Sequence, residues 1–482
     1  MRTNNGMTLA RLAAGLLLAF GLSAAALQAQ AAATLTIINA NAPGVGFNDA
    51  TAVAPVGGNP GTTLGQQRLI AFQAAADQWG ATLDSTVPIL IQARFSALTC
   101  TATSAVLGSA GATSVFRDFP GALKPATWYS FALTNKLLGA DAVPGSPQIN
   151  ANFNVNLGQP GCLTGVPFYL GLDNNHGTSI DLVTVLLHEF GHGLGFQTFT
   201  SGSTGAQLGA APGFPSIWDH FMQDNSTNKL WVDMTNAERV VSALNTRKLA
   251  WTGDFVTANV PLVLSLGTPN LAVSGPAAGA AGGAYNVGTA SFGAPLSTTA
   301  VAGQLMPVSV DLVNGSACLP FSGSNILAVR NNIALVDRGS CGFAVKAKNA
   351  QNAGAIGVVI ANNVAGSAPG LGGADPTVVI PVISVSQADG VTLKAALQTR
   401  SRTASGVIAS LGVNGFQFSG ADLFNRALLF TPNPFQSGSS VSHWDTIAFR
   451  NQLMEPAING DLLHSVVPPA DLTFMLLKDI GW

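Results

Sequence analysis

Two histidines four residues apart, His188 and His192, enclose a glutamate, Glu189, within TSIDLVTVLLHEFGHGLGF at residues 178–196. On a helix that spacing turns both imidazoles to one face, where they can share one metal ion. Neutral imidazole is a good zinc ligand, and a carboxylate beside the first ligand can take a proton from a water that the ion activates. The chain holds six histidines and only three glutamates. A pattern of this kind would arise by chance about 0.0005 times in a chain of such composition, so accident explains it poorly. The surroundings read as a helix: Thr178 or Ser179 can cap it, Asp181 suits its first turn, and apolar residues run to Leu187. The bland alternative is a pair of hydrogen-bonded core histidines.

A catalytic zinc site needs a third protein ligand and one position left for water. The extended pattern HExxHxxGxxH is followed as far as Gly195, which suits a sharp exit from the helix, but Thr198 stands where its third histidine would fall. The other histidines are His176, His220, His443 and His464, and a carboxylate ligand would have to be Glu238 or Glu455. Near the end of the chain, GSSVSHWDTIAFRNQLMEP at residues 438–456 is followed by LTFMLLKDIGW. In these elements the chain resembles the leishmanolysin-type metzincins. In that family the third histidine returns after an inserted region, is followed eleven residues later by a Met-turn methionine, and precedes a helix ending in Asp-Leu/Ile-Gly. The resemblance implies His443 as third zinc ligand, Met454 as the apolar floor beneath the metal, and Asp479-Ile480-Gly481 as the helix end. It covers the two ends of the catalytic unit, residues 66–95 more weakly, and not the middle. His220 is the runner-up ligand and Glu238 the next; His176 and His464 read as supporting or surface residues. Asp445 either orients the site or sits in a solvated loop. Residues 455–458 lack the tyrosine that some metzincins place after the Met-turn, so a second donor to the oxyanion is unidentified.

The elements that must position these residues follow from periodicity. Residues 34–39 alternate like a strand, 66–82 carry apolar residues at helical spacing, and 87–95 read as a β-branched strand. Residues 149–157 alternate again and are expected to form an exposed edge strand, which could hold substrate by β-augmentation. Residues 275–288 (GPAAGAAGGAYNVG) are low in complexity and read as a flexible linker.

A βαβ-like pattern follows: strand 333–336, helix 343–353, strand 356–360 and strand 378–385. The stretch NIALVDRGSCGFAVKAKNAQNAGAIGVVIANN at residues 332–363 resembles the protease-associated (PA) domain. The resemblance implies a non-catalytic module that shapes substrate access or binds protein, with a cysteine just upstream paired to Cys341. No GxGxxG follows a strand, which argues against a dinucleotide fold. Set between Gly195 and His443, such a domain accounts for Thr198: the chain leaves the site, builds the insertion and returns with its last ligand.

The bulk numbers bound the rest. A chain of 482 residues exceeds one ordinary core. Only 9% of residues are charged and the net charge is −2, so neither nucleic acid nor an anionic membrane is an expected partner. Arg2 and Arg11, the apolar run 12–27 and Ala29-Gln30-Ala31 read as a cleavable export signal. Cys100–Cys162 and Cys318–Cys341 are the simplest of three pairings of the four cysteines in an oxidising compartment.

The expected fold class is α+β: a metzincin-like zinc peptidase domain, mixed sheet plus active-site helix, interrupted by an α/β PA domain. The expected boundaries are 1–31 for the signal, 32–262 and 413–482 for the two catalytic parts, and 263–412 for the insertion. The expected function is a secreted or periplasmic zinc-dependent endopeptidase acting on proteins or peptides, with Glu189 as general base and no stable membrane span in the mature chain. Zinc is the expected cofactor; calcium has no specific motif behind it. The rivals are a catalytically silent, zinc-stabilised surface or protein-binding module and a zinc hydrolase of a non-peptide amide.

Overall fold

Four short strands make the sheet that carries the site: β1 (Leu35–Asn39), β2 (Ile89–Ser96), β3 (Gly108–Ala112) and β4 (Ile149–Asn154). In β2 the residues Ile89, Ile91, Ala93 and Phe95 are buried and the alternate ones are not, the period-two pattern of a pleated strand with one covered face. The order is β1-β2-β4-β3; β1, β2 and β4 are parallel and β3 is antiparallel to β4. The computed structural model describes residues 32–102, 104–308, 315–373 and 375–482, so the expected export signal lies outside the described residues.

This order corrects one expectation. Residues 149–154 are not an edge strand, because β4 is paired on both sides. Its alternation does mark a buried face (Ile149, Ala151, Phe153) and a more open one (Asn150, Asn152), but that pattern reports how the faces are covered and not whether the strand has neighbours on both sides. The edge on that side is β3, whose sequence GSAGA has no apolar period to announce it.

Two helices cover the sheet. Helix α1 (Leu64–Thr82) is capped by Thr63, whose side chain accepts from Gln66 N, and buries Phe72, Ala76 and Trp79. Every residue of α2 (Leu182–Leu194) is buried, which marks a helix packed on all sides. The Trp79 indole donates to the Leu187 carbonyl at 3.1 Å and ties the two together. Gly193 allows α2 to lie close to the sheet, since a Cβ there would meet Ile149 at 2.5 Å. Helix α3 (Asp254–Val263) comes later in the chain than α2.

The rest of the chain builds an eight-stranded sheet among the described residues. Its strands are β5 (Leu266–Ser274), β6 (Gly283–Asn286), β7 (Gly288–Thr289), β8 (Val301–Pro307), β9 (Ile333–Asp337), β10 (Gly357–Ala361), β11 (Val382–Val385) and β12 (Ile408–Phe418). The order is β6-β5-β12-β8-β9-β10-β11-β7, with β8 to β11 parallel. Helix α4 (Phe343–Asn352) connects β9 to β10, and α5 (Gln387–Ala396) follows β11. The expected linker 275–288 is structured, since β6 pairs with β5. Its small residues serve close approach: a Cβ on Gly275 would meet the Gly406 carbonyl at 2.5 Å. Strand β11 is shorter than the expected 378–385, and Pro381, which has no N–H to give, only accepts from Val358 N at 3.0 Å.

One apolar core draws on residues between 33 and 264 and again between 421 and 482; two others, within 271–411, cover the faces of the larger sheet. The C-terminal helix α6 (Thr473–Ile480) belongs to the first core. Its Asp479 accepts from the Trp251 indole and from Phe255 N and Val256 N at the start of α3. The fold is thus mixed α/β, and both parts of the first core must be in place together. Disulfides Cys100–Cys162 and Cys318–Cys341 are closed, and no described cysteine is free.

Candidate metal centre and active site

Helix α2 starts later than its sequence suggests. Its N-cap is Asp181, not Thr178 or Ser179, and that carboxylate accepts from Thr184 N at 2.7 Å. The same oxygen lies 2.8 Å from His464 Nε2, so His464 anchors the start of the helix. The helix ends at Gly195, whose φ of +126° suits glycine and little else. The indole of Trp482 and the hydroxyl of Ser130 satisfy the buried carbonyl of Leu194 at the helix end.

His188, His192 and His443 converge from these elements. Each Nδ1 faces a backbone carbonyl: Leu453 O at 2.7 Å, Phe196 O at 2.7 Å and Ser439 O at 2.8 Å respectively. A carbonyl only accepts, so each Nδ1 carries the ring proton and each Nε2 presents a lone pair. The His192 Nε2 is 3.2 Å from the Nε2 of both His188 and His443. The three ligand atoms lie within 4.8 Å of one another. Lone pairs at that spacing repel unless a cation sits among them. Tetrahedral bonds of ~2.0–2.1 Å to zinc would set the nitrogens ~3.3 Å apart. The donor set therefore fits a zinc-sized ion.

Burial keeps the triad neutral, as ligands must be. It pushes His188 down to about 4. His192 falls to about 3, by burial first and then by the neighbouring His188. His443 is held well below the usual imidazole range by burial and by both partners. Glu189 moves the other way: burial raises its carboxyl to about 8, opposed by a hydrogen bond from the backbone of Ala110 in β3. Gly108 in the same strand leaves room for it, since a Cβ there would stand 3.3 Å from Glu189 Cγ and 2.9 Å from the Phe153 ring.

The segment bearing His443 is locked to the residues around Met454. Trp444 N donates to Met454 O at 2.9 Å, and Met454 is buried with its sulfur 3.0 Å from where a Cβ on Gly191 would lie. Asp471 accepts from Leu453 N at 2.6 Å and from Thr473 N at 2.7 Å, so it holds the residue whose carbonyl orients His188 and also ties down the first residue of α6. Asp445 is not a solvated loop residue: it is buried, accepts from Ile447 N, and lies 3.8 Å from Arg247 Nε.

Thr198 has a different task from the one its position suggests. Its hydroxyl donates to Asp219 Oδ1, Thr200 donates to the other carboxylate oxygen, and Thr198 N donates to Ser442 Oγ beside His443. The other candidate ligands lie elsewhere. His220 Nε2 pairs with Thr127 Oγ1 at 3.0 Å, His176 Nδ1 with Ser179 O at 2.9 Å, and Glu238 with Lys229 and the capping box of a short helix. Glu455 is buried but accepts from Gln452 N and Asn459 Nδ2. Asp219, Asp471 and Ser442 carry no local sequence signal; only the glycine exit followed by Thr198 hinted that something holds this turn.

A groove of about 930 Å³ opens over the triad. Its walls include β3 residues 108–110, Thr198, Thr200 and Ser442, and the apolar residues Leu107, Val185, Phe435 and Ile458. Among the described residues that line it there is no Lys, Arg or Asp, and Glu189 is the sole Glu.

Comparison with known proteins adds the following. A family model described as "PA domain" matches residues 301–393. Over 135 residues the chain is 35% identical to a probable lipoprotein aminopeptidase, LpqL, of Mycobacterium tuberculosis; the match covers 26% of this chain and 25% of that protein. The chain therefore spans about a quarter of that relative's length. Among solved structures, an aminopeptidase from Aneurinibacillus sp. strain AM-1 is similar at 21% identity and TM-score 0.23, covering 32% of this chain and 31% of that one. The zinc aminopeptidase BSAP from Bacillus subtilis is similar at 23% identity and TM-score 0.22, covering 33% and 35%. Likenesses at that level establish no shared overall fold. The resemblance to leishmanolysin-type metzincins is corrected by these findings, because the curated relative is an aminopeptidase and not a metzincin. Short ligand motifs are a weak guide to family, because three-imidazole constellations recur on unrelated folds.

Proposed function

We propose that the chain is an exported zinc-dependent peptidase. The convergence of three Nε2 lone pairs beside the buried carboxylate of Glu189 supports this reading most strongly. His188, His192 and His443 would hold the ion. Imidazole donors suit zinc, and three of them leave one position open. Bound there, zinc supplies a Lewis acid for the scissile carbonyl and acidity for the attacking water.

The chain's own residues supply the rest. With its carboxyl at about 8, Glu189 can take a proton and return it to a leaving amine near neutral pH. The free edge of β3 borders the groove, and an extended substrate can add to it as a further strand. This moves the β-augmentation site from residues 149–157 to 108–112. A groove without charge apart from Glu189 favours substrates with uncharged side chains around the cleaved bond. Apart from Glu189, its described lining also offers no carboxylate to pair with a free α-ammonium, which favours cleavage within chains. Removal of N-terminal residues is the second reading, favoured by the aminopeptidases to which the chain is similar.

Two disulfides fit an oxidising compartment, and the relative's name includes a lipoprotein. Among the described residues no helix is long and apolar enough to cross a membrane.

The test is Glu189→Gln. Cleavage of unfolded protein should fall by about 10²–10⁴-fold with zinc retained. Unchanged biological activity would favour a silent zinc-stabilised module. Blocking the α-amino group of a neutral peptide should leave cleavage intact; loss of cleavage on blocking would establish the aminopeptidase reading.

A further inference from the structure

One polar side chain in the groove over the histidines has no task inside the chain. Gln197 lines that groove and is half-buried, and its carboxamide has no hydrogen-bond partner among the described residues. Its Nε2 stands 3.9 Å from where a Cβ on Gly111 in β3 would lie. Apart from the chain neighbours of Gly111, nothing else comes within 4 Å of that point. The carboxamide thus sits beside β3 with room left for a ligand.

The backbone that carries it is fixed on both sides. Phe196 is fully buried, its N donates to Gly191 O at 3.0 Å, and its carbonyl faces His192 Nδ1. Gln197 N donates to Gly195 O at 2.8 Å. Thr198 is tied to Asp219 through its hydroxyl and to Ser442 through its N–H. Asp219 is itself buried and also accepts from the Thr200 hydroxyl and from Ser216 N. A side chain presented by such a turn loses less freedom on binding than one on a mobile loop.

Strand β3 borders the same space. Asn154 N donates to Leu107 O and Thr113 N to Gln148 O, so in this register residues 107, 109, 111 and 113 bond to β4. Gly108, Ala110 and Ala112 therefore turn their N–H and C=O groups to the free side. The Ala110 N–H meets Glu189, which marks where along the strand the chemistry takes place. Gly111, with Gln197 beside it, lies one step further on. A peptide unit carries one N–H and one C=O, the complement of the C=O and NH₂ of a carboxamide.

We propose that Gln197 is a specificity-determining residue: its carboxamide hydrogen-bonds a main-chain peptide unit of the substrate one or two residues from the scissile bond. The inference rests on the peptidase reading given above. Because the contact is with the main chain, it selects for length and not for side chain. The favoured substrates are extended neutral peptides that reach past Gly111, over short ones that stop before it.

The test measures kcat and KM for neutral peptides lengthened one residue at a time to either side of one scissile bond, with free and with acetylated amino ends. Adding the residue that reaches Gln197, on one side only, should lower the KM of the zinc-loaded wild type about three- to tenfold with kcat little changed, as one neutral hydrogen bond would. That gain should vanish in Gln197→Ala. Replacing the peptide N–H at that position by an ester oxygen should cost the wild type more than the variant. Gln197→Met keeps the length of the side chain and loses its polar atoms, so it should match Gln197→Ala and decides if the latter does not fold. A KM that does not change with length in the wild type, or an equal gain in wild type and variants, would overturn the role of Gln197 and leave the peptidase reading standing. A wild type that cleaves no peptide of any length would overturn that reading and this inference with it.

Discussion

Replacing Asp471 with alanine tests whether the site is held from beneath, far from any ligand in sequence. The carboxylate accepts two buried backbone donors, Leu453 N at 2.6 Å and Thr473 N at 2.7 Å. Leaving both unsatisfied costs about 1–3 kcal/mol each, about 2–6 kcal/mol together. Burial raises this carboxyl's pKa, so removing it relieves some desolvation, and the net loss should fall at the lower end, about 2–4 kcal/mol. The second effect is on the metal. Leu453 O holds the Nδ1 proton of His188, and loss of such an orienting partner typically weakens metal binding about 10–100-fold. Chemical denaturation of metal-free protein gives the first number, and zinc competition against a chelating dye gives the second. Destabilisation with unaltered zinc affinity would refute the link from Asp471 through Leu453 to His188.

Two further outcomes follow from burial and packing. Glu455 is raised to about 8 from 4.5, chiefly by burial, so the native state holds a proton that the unfolded state releases above pH 4.5. Its contribution is therefore fully present below pH 4.5 and is lost as pH rises towards 8. Metal-free stability should fall by about 1.4 kcal/mol per pH unit more steeply in wild type than in Glu455→Gln across that window; parallel profiles from denaturant titrations would contradict this. Gly193→Ala places a methyl 2.5 Å from Ile149 and should cost about 1–3 kcal/mol by overpacking, read as a lowered denaturation midpoint.

The helix bearing His188, Glu189 and His192 is legible in the sequence because the chemistry dictates both residue types and spacing. His443 is legible only through its distance from Met454, and no local feature distinguishes it from His220 or His464. Strand β3 is invisible because Gly-Ser-Ala-Gly-Ala has no apolar period; its identity is set by pairing with β4 and by the need for space above Glu189. The same blindness placed the sheet edge on residues 149–157, where alternation records one covered face and says nothing of the strand's neighbours. Residues 275–288 look disordered by composition, yet their small side chains are what close packing at β5 and β12 requires. Asp219, Arg247 and Asp471 act on partners distant in the chain, and only the fold brings those partners within reach. The family assignment failed for a related reason: short metal-binding elements report the demands of the ion more than ancestry.

The central claim is that three imidazoles from two distant segments hold one ion. Metal content and zinc affinity of purified wild type, Glu189→Gln and His443→Ala, all with native folds verified by circular dichroism, test it most directly. One zinc per chain in the first two and a loss of more than about a hundredfold in affinity in the third are predicted. A folded His443→Ala protein that binds zinc as tightly as wild type would contradict the account.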